Sequence, residues 1–86
     1  MGMSISAAAA RLSRQLPEAE HSLDTALLAS ARLMETMVLA RGADGVANFT
    51  GQNALLRLAR SQRALLESQN DMIRVHRALL DAGRQV

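Results

Sequence analysis

The most constraining feature of the sequence is a regular apolar pattern through residues 50–82. Apolar doublets recur every seven residues, and one polar residue stands midway between successive doublets. At about 100° per residue, these positions form one stripe along a single side of an α-helix. No proline or glycine interrupts residues 52–82. The pattern therefore predicts one long amphipathic helix with the heptad-like repeat of a coiled coil or helical bundle.

This helix provides most of the residues that we predict to contact another helix. They are Leu58, Gln62, Leu65, Leu66, Gln69, Met72, Ile73, His76, Leu79 and Leu80. The polar members Gln62, Gln69 and His76 repeat every seven residues. We interpret them as layers that hydrogen-bond between helices and fix the register. The alternatives are a polar channel or ligand site inside a bundle, or a rotated stripe that leaves these residues at its edge.

The ends of the long helix carry capping signals. Thr50 is a candidate N-cap, and Phe49 just before it is a candidate staple residue. Gly83 is placed to end the helix in a left-handed conformation, which leaves residues 83–86 as a tail. On the exposed side, Arg63 and Glu67 are four residues apart and can form an ion pair.

The chain before the loop forms a second helical arm. Residues 4–15 predict a short helix capped by Ser4. Pro17 then predicts either a new helix over residues 16–41 or a kinked arm, and the acidic residues that follow it suit a helix start. The predicted interhelical residues of this arm are Leu23, Leu27, Leu28, Ser30, Met34 and Met37.

Residues 42–49 form the one clear turn, with Asp44-Gly45 at its tip. Folding the chain there places Leu23 level with Gln69, and Ser30 level with Gln62. The fold class is therefore all-α, a long antiparallel helical hairpin in a single domain of 86 residues. Two helices alone enclose no core, so we predict that two hairpins dimerise into a four-helix bundle. A monomer with residues 4–15 as a third helix is the alternative.

Composition excludes several classes of protein. With no cysteine, the chain can form neither a disulfide nor a thiolate metal site. A net charge of +2 and a single aromatic residue argue against nucleic-acid binding. The absence of lysine beside ten arginines is typical of a GC-rich bacterium.

No apolar run of membrane-spanning length and no signal peptide are visible, so we expect a cytoplasmic protein without a membrane partner. Met1-Gly2 before Met3 suggests an added start, with residues 1–3 disordered or foreign to the natural chain.

Residues capable of catalysis are few and lack a motif. Glu18 and His21 have the E-x-x-H spacing of di-iron bundles, but both lie off the apolar stripe, and the second arm carries no carboxylate to face them. His76 could act as a base, although a lone histidine on an apolar stripe is usually hydrogen-bonded within the bundle. The sequence therefore predicts no enzyme, no cofactor and no metal site.

These observations predict a non-enzymatic helical-bundle protein that acts as a homodimeric interaction or scaffold module. The first alternative is a hairpin that binds a client helix, as an export chaperone or an adaptor does. The second alternative is weak nucleic-acid binding through the arginines on the outer side of the long helix, which include Arg57, Arg60 and Arg63.

Overall fold

The computed structural model of the chain describes residues 2–47 and 50–84. These residues form two helices, α1 (Ile5–Arg41) and α2 (Gln52–Arg84), and contain no strand. The helices pack against each other over an elongated molecule that measures 64 × 20 × 17 Å. The predicted all-α helical hairpin is confirmed.

Helix α1 begins where the sequence predicts and then continues further than expected. The side chain of Ser4 caps the helix, because its Oγ accepts a hydrogen bond of 3.1 Å from the Ala7 N–H. Of the two alternatives at Pro17, a new helix or a kinked arm, the new helix was wrong, since α1 continues across this residue without interruption. Leu16 and Leu23, on either side of Pro17, are both half-buried. We attribute the continuity to packing of both segments on α2, which offsets the one backbone hydrogen bond that proline cannot donate.

Gly42 caps the end of α1. Two further glycines, Gly45 and Gly51, have a positive φ, and Gly45, at the predicted tip of the turn, has a φ of 80°. Thr50 does not cap α2, because its hydroxyl donates back to the Ala47 carbonyl at 2.7 Å. Gly51 then adopts a φ of 73°, and its carbonyl accepts from the Leu55 N–H. This left-handed residue reorients the chain, so α2 begins two residues later than predicted.

The C-terminal end of α2 also differs from the prediction. Gly83 does not end the helix, which includes this residue and continues to Arg84. Among the described residues outside its own helical turn, none lies within 4 Å of the position that a Cβ would take at Gly83. The predicted staple residue Phe49 and the last two tail residues lie outside the described part of the chain.

The hairpin has no interior. None of the described residues is buried, and the residues between the helices are only half-buried. Two helices side by side cover one strip of each other and leave the rest of each apolar surface open to water. Much of the apolar surface therefore lies on the outer faces of the hairpin.

Candidate interaction surfaces

The residues predicted to contact another helix fall into two groups. Those half-buried between α1 and α2 are Leu23, Leu27, Ser30, Met34, Met37, Leu58, Gln62, Leu65, Gln69, Met72 and Leu79. Those that remain exposed are Leu28, Leu66, Ile73, His76 and Leu80. We call the first group the seam. Leu16, Leu55 and Arg41 are equally half-buried and belong to it. Leu16 lies on the predicted apolar stripe of the first arm, level with His76, whereas Leu55 and Arg41 were not predicted as contact residues. Leu55 could have been found, because it lies seven residues before Gln62.

Two polar contacts cross the hairpin in its loop-distal half. The Gln69 Nε2 donates a hydrogen bond of 2.6 Å to the Asp24 Oδ1. One heptad further along, the His76 Nδ1 lies 3.4 Å from the Glu20 Oε1, with both side chains about half exposed. These contacts place α1 and α2 in the register obtained by folding the chain at the loop, in which Leu23 is level with Gln69.

The third polar layer lacks such a contact. Ser30 was expected to lie near Gln62 and to provide its partner. Instead, the Ser30 hydroxyl donates to the Leu27 carbonyl of its own helix at 2.7 Å. The Gln62 amide has no hydrogen-bond partner among the side chains described. Only two of the three polar layers therefore bridge the helices.

Glu20 and Asp24 have a role that sequence reasoning missed. We interpreted the acidic residues after Pro17 as charges that stabilise a helix start. Because α1 starts twelve residues before Pro17, they lie in mid-helix and instead contact α2. The register could have revealed Asp24, since it follows Leu23, which the sequence places level with Gln69.

Arg41 joins the two helices beside the loop. Its Nε donates to the Thr50 carbonyl at 3.3 Å, and its guanidinium also donates to the Gln52 side chain. Arg41 is half-buried at the last position of α1. The side chain thus connects the end of α1 to the start of α2, and it fixes the loop end of the hairpin.

Two shallow grooves show which residues share an outer face. Both grooves have Leu23 and Met72 at their base. One opens among Asp24, Gln69 and Ile73, and it defines what we call the Ile73 face. The other opens among Ala19, Ser22, Ser68 and Asp71, and it defines the Ser68 face.

The Ile73 face carries a row of large apolar side chains. Residues seven apart share a face when two helices pack with heptad spacing. Leu66 and Leu80 therefore lie on the same side as Ile73, and Val38 lies on the same side as Asp24. These four aliphatic residues are between 50% and 54% exposed. By the same spacing, Val75 lies on the Ser68 face, together with Ser61.

The described residues contain no group of three or more potential metal ligands. His21 and Glu18 are exposed, and their backbone carbonyls accept hydrogen bonds from the hydroxyls of Thr25 and Ser22. The Arg63 Nε lies 3.2 Å from the Glu67 Oε1, as predicted, in an exposed ion pair. Arg57 and Arg60 line a shallow groove with Asn53 and Leu56.

Neither helix, over the residues described, contains a stretch apolar and long enough to cross a bilayer.

The chain matches no known family model, no curated protein and no solved structure. The arguments about function therefore rest on the two outer faces and on the polar contacts between the helices.

Proposed function

We propose that this chain is a non-enzymatic interaction module that acts by self-association, in which two hairpins form a four-helix bundle. The observation that carries this proposal is the absence of any buried residue in the described hairpin. A helical pair of this kind has too little internal burial to offset the entropy of ordering about seventy helical residues. A second hairpin provides the missing apolar contact.

The surface area supports the same proposal. The chain exposes 6979 Å², whereas a compact monomer of 9.3 kDa exposes about 5,000 Å². The excess of roughly 2,000 Å² falls within the area that each subunit of an obligate homodimer buries, about 1,000 to 2,500 Å². Contact with one partner of the same size is therefore enough to lower the exposed area per chain to that of a compact monomer of this mass.

Sedimentation equilibrium at micromolar concentration tests self-association directly. We expect a mass of twice the 9.3 kDa of the chain, together with a melting temperature that rises with protein concentration. The melting transition should be single and cooperative, because folding and association are coupled. A species of 9.3 kDa that remains fully helical on dilution would overturn the proposal.

One observation favours a second function, the binding of a helix from another protein. Leu39 is 68% exposed and lies outside the seam, and Leu33 is also exposed although it lies away from the Ile73 face. A bundle of two hairpins leaves part of this surface uncovered. A hairpin that binds a client helix should melt broadly when alone, at a temperature independent of its concentration, and should become more helical when the client is added.

Arg57 and Arg60 are the residues on which weak nucleic-acid binding would depend. We rank this function third, because Glu67 already pairs with Arg63 beside them and Asp71 adds a further negative charge one turn beyond Glu67.

A further inference from the structure

We infer that a second copy of this chain docks on the Ile73 face, antiparallel to the first, with the two loops at opposite ends of the bundle. The inference rests on the proposed self-association and goes beyond it by assigning the face and the direction. Three observations support it: the side chains on this face, their symmetry about the middle of the hairpin, and the charges at its edge.

The Ile73 face has its large apolar residues where an interface needs them. Leu66 and Ile73 lie near the middle of α2, and each is at least half exposed. At the same level, the Ser68 face has Ser61 and Ser68 on α2 and Ala19 and Ala26 on α1. Its larger exposed residues lie further from the middle of the hairpin, and they are Leu12, Leu33 and Val75. Residues that contribute most to association cluster near the centre of an interface and are usually large. The Ile73 face is therefore the stronger candidate.

The apolar residues of this face are self-complementary in the antiparallel direction. Leu66 and Ile73 lie at nearly equal distances from residue 69, close to the middle of α2 (Gln52–Arg84). A two-fold axis there places Leu66 against the partner's Ile73, and Ile73 against the partner's Leu66. Ala59 and Leu80 exchange in the same way, so a small residue meets a large one. The two carboxylates in the centre of the face both have a partner within the hairpin, since Asp24 accepts a hydrogen bond from Gln69 and the Glu20 Oε1 lies 3.4 Å from the His76 Nδ1.

The edge of the face is complementary in charge under the same symmetry. Arg14 lies nine residues and Glu35 twelve residues from the middle of α1 (Ile5–Arg41), so an antiparallel pair brings them to within about one helical turn of the same level. Heptad spacing also places both on one side of α1, together with His21 and Leu28. Neither has an ion-pair partner within the described residues. In an antiparallel pair, Arg14 of each copy comes close to Glu35 of the other. A single client helix would not present these two charges in symmetric positions.

The dimensions of the face also fit a second hairpin. Its apolar residues belong to both helices, with Val38 on α1 and the others on α2. The hairpin is 20 Å wide, so a single docked helix of about 10 Å would leave one of these rows open. A second hairpin covers both rows along the full length of the molecule.

Two single arginine variants, one on each side of α2, test the assignment of the face. Leu66→Arg should raise the dimer dissociation constant by about 100-fold or more, because it buries unpaired charges at two symmetric sites. The matched control is Val75→Arg, which alters a partly exposed apolar residue of the same helix on the Ser68 face and should leave the constant within a few-fold. Weaker association of Val75→Arg alone, or equal effects of the two variants, would overturn the assignment of the face.

A second measurement does not depend on how well the arginine variant folds. The chain has no cysteine, so a single thiol can be introduced at either position. Alkylation of Leu66→Cys should become slower as the protein concentration rises, while alkylation of Val75→Cys should not. Equal protection of both thiols would contradict the inference. If the parent chain dimerises under the same conditions, equal protection of the two thiols contradicts only the assignment of the face and leaves self-association standing.

The direction is tested by exchanging the two edge charges. Arg14 and Glu35 are 21 residues apart on one helix, about 32 Å, so they cannot pair within a chain. Arg14→Glu and Glu35→Arg should each raise the dissociation constant several-fold, and the double variant should restore it. Additive effects in the double variant would overturn the antiparallel arrangement and leave self-association standing.

Discussion

The two halves of the hairpin are built differently, although the same two helices form both. The loop-proximal half comprises residues 27–41 and 52–66, and the loop-distal half comprises residues 5–26 and 67–84. Half-buried residues are mostly Leu and Met in both halves, for example Leu27 and Met34 near the loop and Leu23 and Met72 away from it. The halves differ in where polar contacts cross between the helices. In the loop-distal half they lie along the seam, Gln69 with Asp24 and His76 with Glu20. In the loop-proximal half, among the described residues, Arg41 makes them beside the loop.

This difference separates the stability of the hairpin from its register. Layers of Leu and Met resemble one another, so a shift by one heptad in the loop-proximal half costs little contact area. A directional hydrogen bond is lost on such a shift, because its donor and acceptor separate. We therefore expect the loop-proximal half to supply most of the stability, and the loop-distal half to select the register.

The largest expected effect comes from a charge in the seam. Leu65→Asp in the loop-proximal half should lower the free energy of unfolding by at least about 3 kcal/mol, because it places a carboxylate among apolar side chains. The matched variant Leu79→Asp, near the open end, should cost about half as much, since the last turns can open and hydrate the carboxylate. Urea unfolding followed by circular dichroism, at one protein concentration, measures both. Equal losses would remove the proposed difference between the halves, and full helicity in Leu65→Asp would mean that the seam is misassigned.

Much of the fold could be predicted because it depends on local patterns. The heptad repeat predicts both helices. Ser4 marks the start of α1, and the loop glycines Gly42 and Gly45 mark the turn that follows its end. Pro17 and Gly83 could not be interpreted correctly, since each is a helix breaker by intrinsic preference that the rest of its helix overrides. Thr50 has the right chemistry for a cap but lies one residue too early, and the left-handed Gly51 was not foreseen.

The candidate surfaces were less predictable, because they depend on which side chains of one helix contact the other helix. The stripe predicted that Leu66, Ile73 and Leu80 contact another helix, and the described hairpin leaves all three exposed. A periodic pattern gives the apolar side of a helix, but it does not divide that side between the first neighbour and the second. The partners of Gln69 and His76 also required the register, which one sequence fixes only to within about a turn.

The next effect in size concerns Pro17 in the loop-distal half. Pro17→Ala should raise the free energy of unfolding by about 1 to 3 kcal/mol, because it restores a backbone hydrogen bond inside α1 and relieves the clash of the proline ring. Hydrogen exchange at residues 5–16 should slow by a corresponding factor. Gln15→Ala, at an exposed neighbouring position, is the control and should change stability by less than about 0.5 kcal/mol. A destabilised Pro17→Ala would show that the proline is required for the shape of this half.

The smallest expected effect compares two glutamines one heptad apart. Gln62→Leu should raise the free energy of unfolding by about 1 kcal/mol, because it adds apolar contact in the loop-proximal half and removes no hydrogen bond. Gln69→Leu gains a similar contact but loses the bond to Asp24, also worth about 1 kcal/mol, so its net change should be close to zero. Thermal melts at matched concentration measure this difference.

Asp24→Asn separates the hydrogen bond from the charge. The asparagine keeps an acceptor oxygen for the Gln69 amide, so its stability should stay close to that of the parent chain. Because the bond also selects the register, Gln69→Leu should broaden the distribution of assembly states in sedimentation velocity, whereas Gln62→Leu should not. Equal stabilisation by both leucine variants, with one sharp species in each, would mean that the Asp24 contact sets neither stability nor register. The contact of His76 with Glu20 and the hydrogen bonds of Arg41 beside the loop would then be the remaining contacts able to do so.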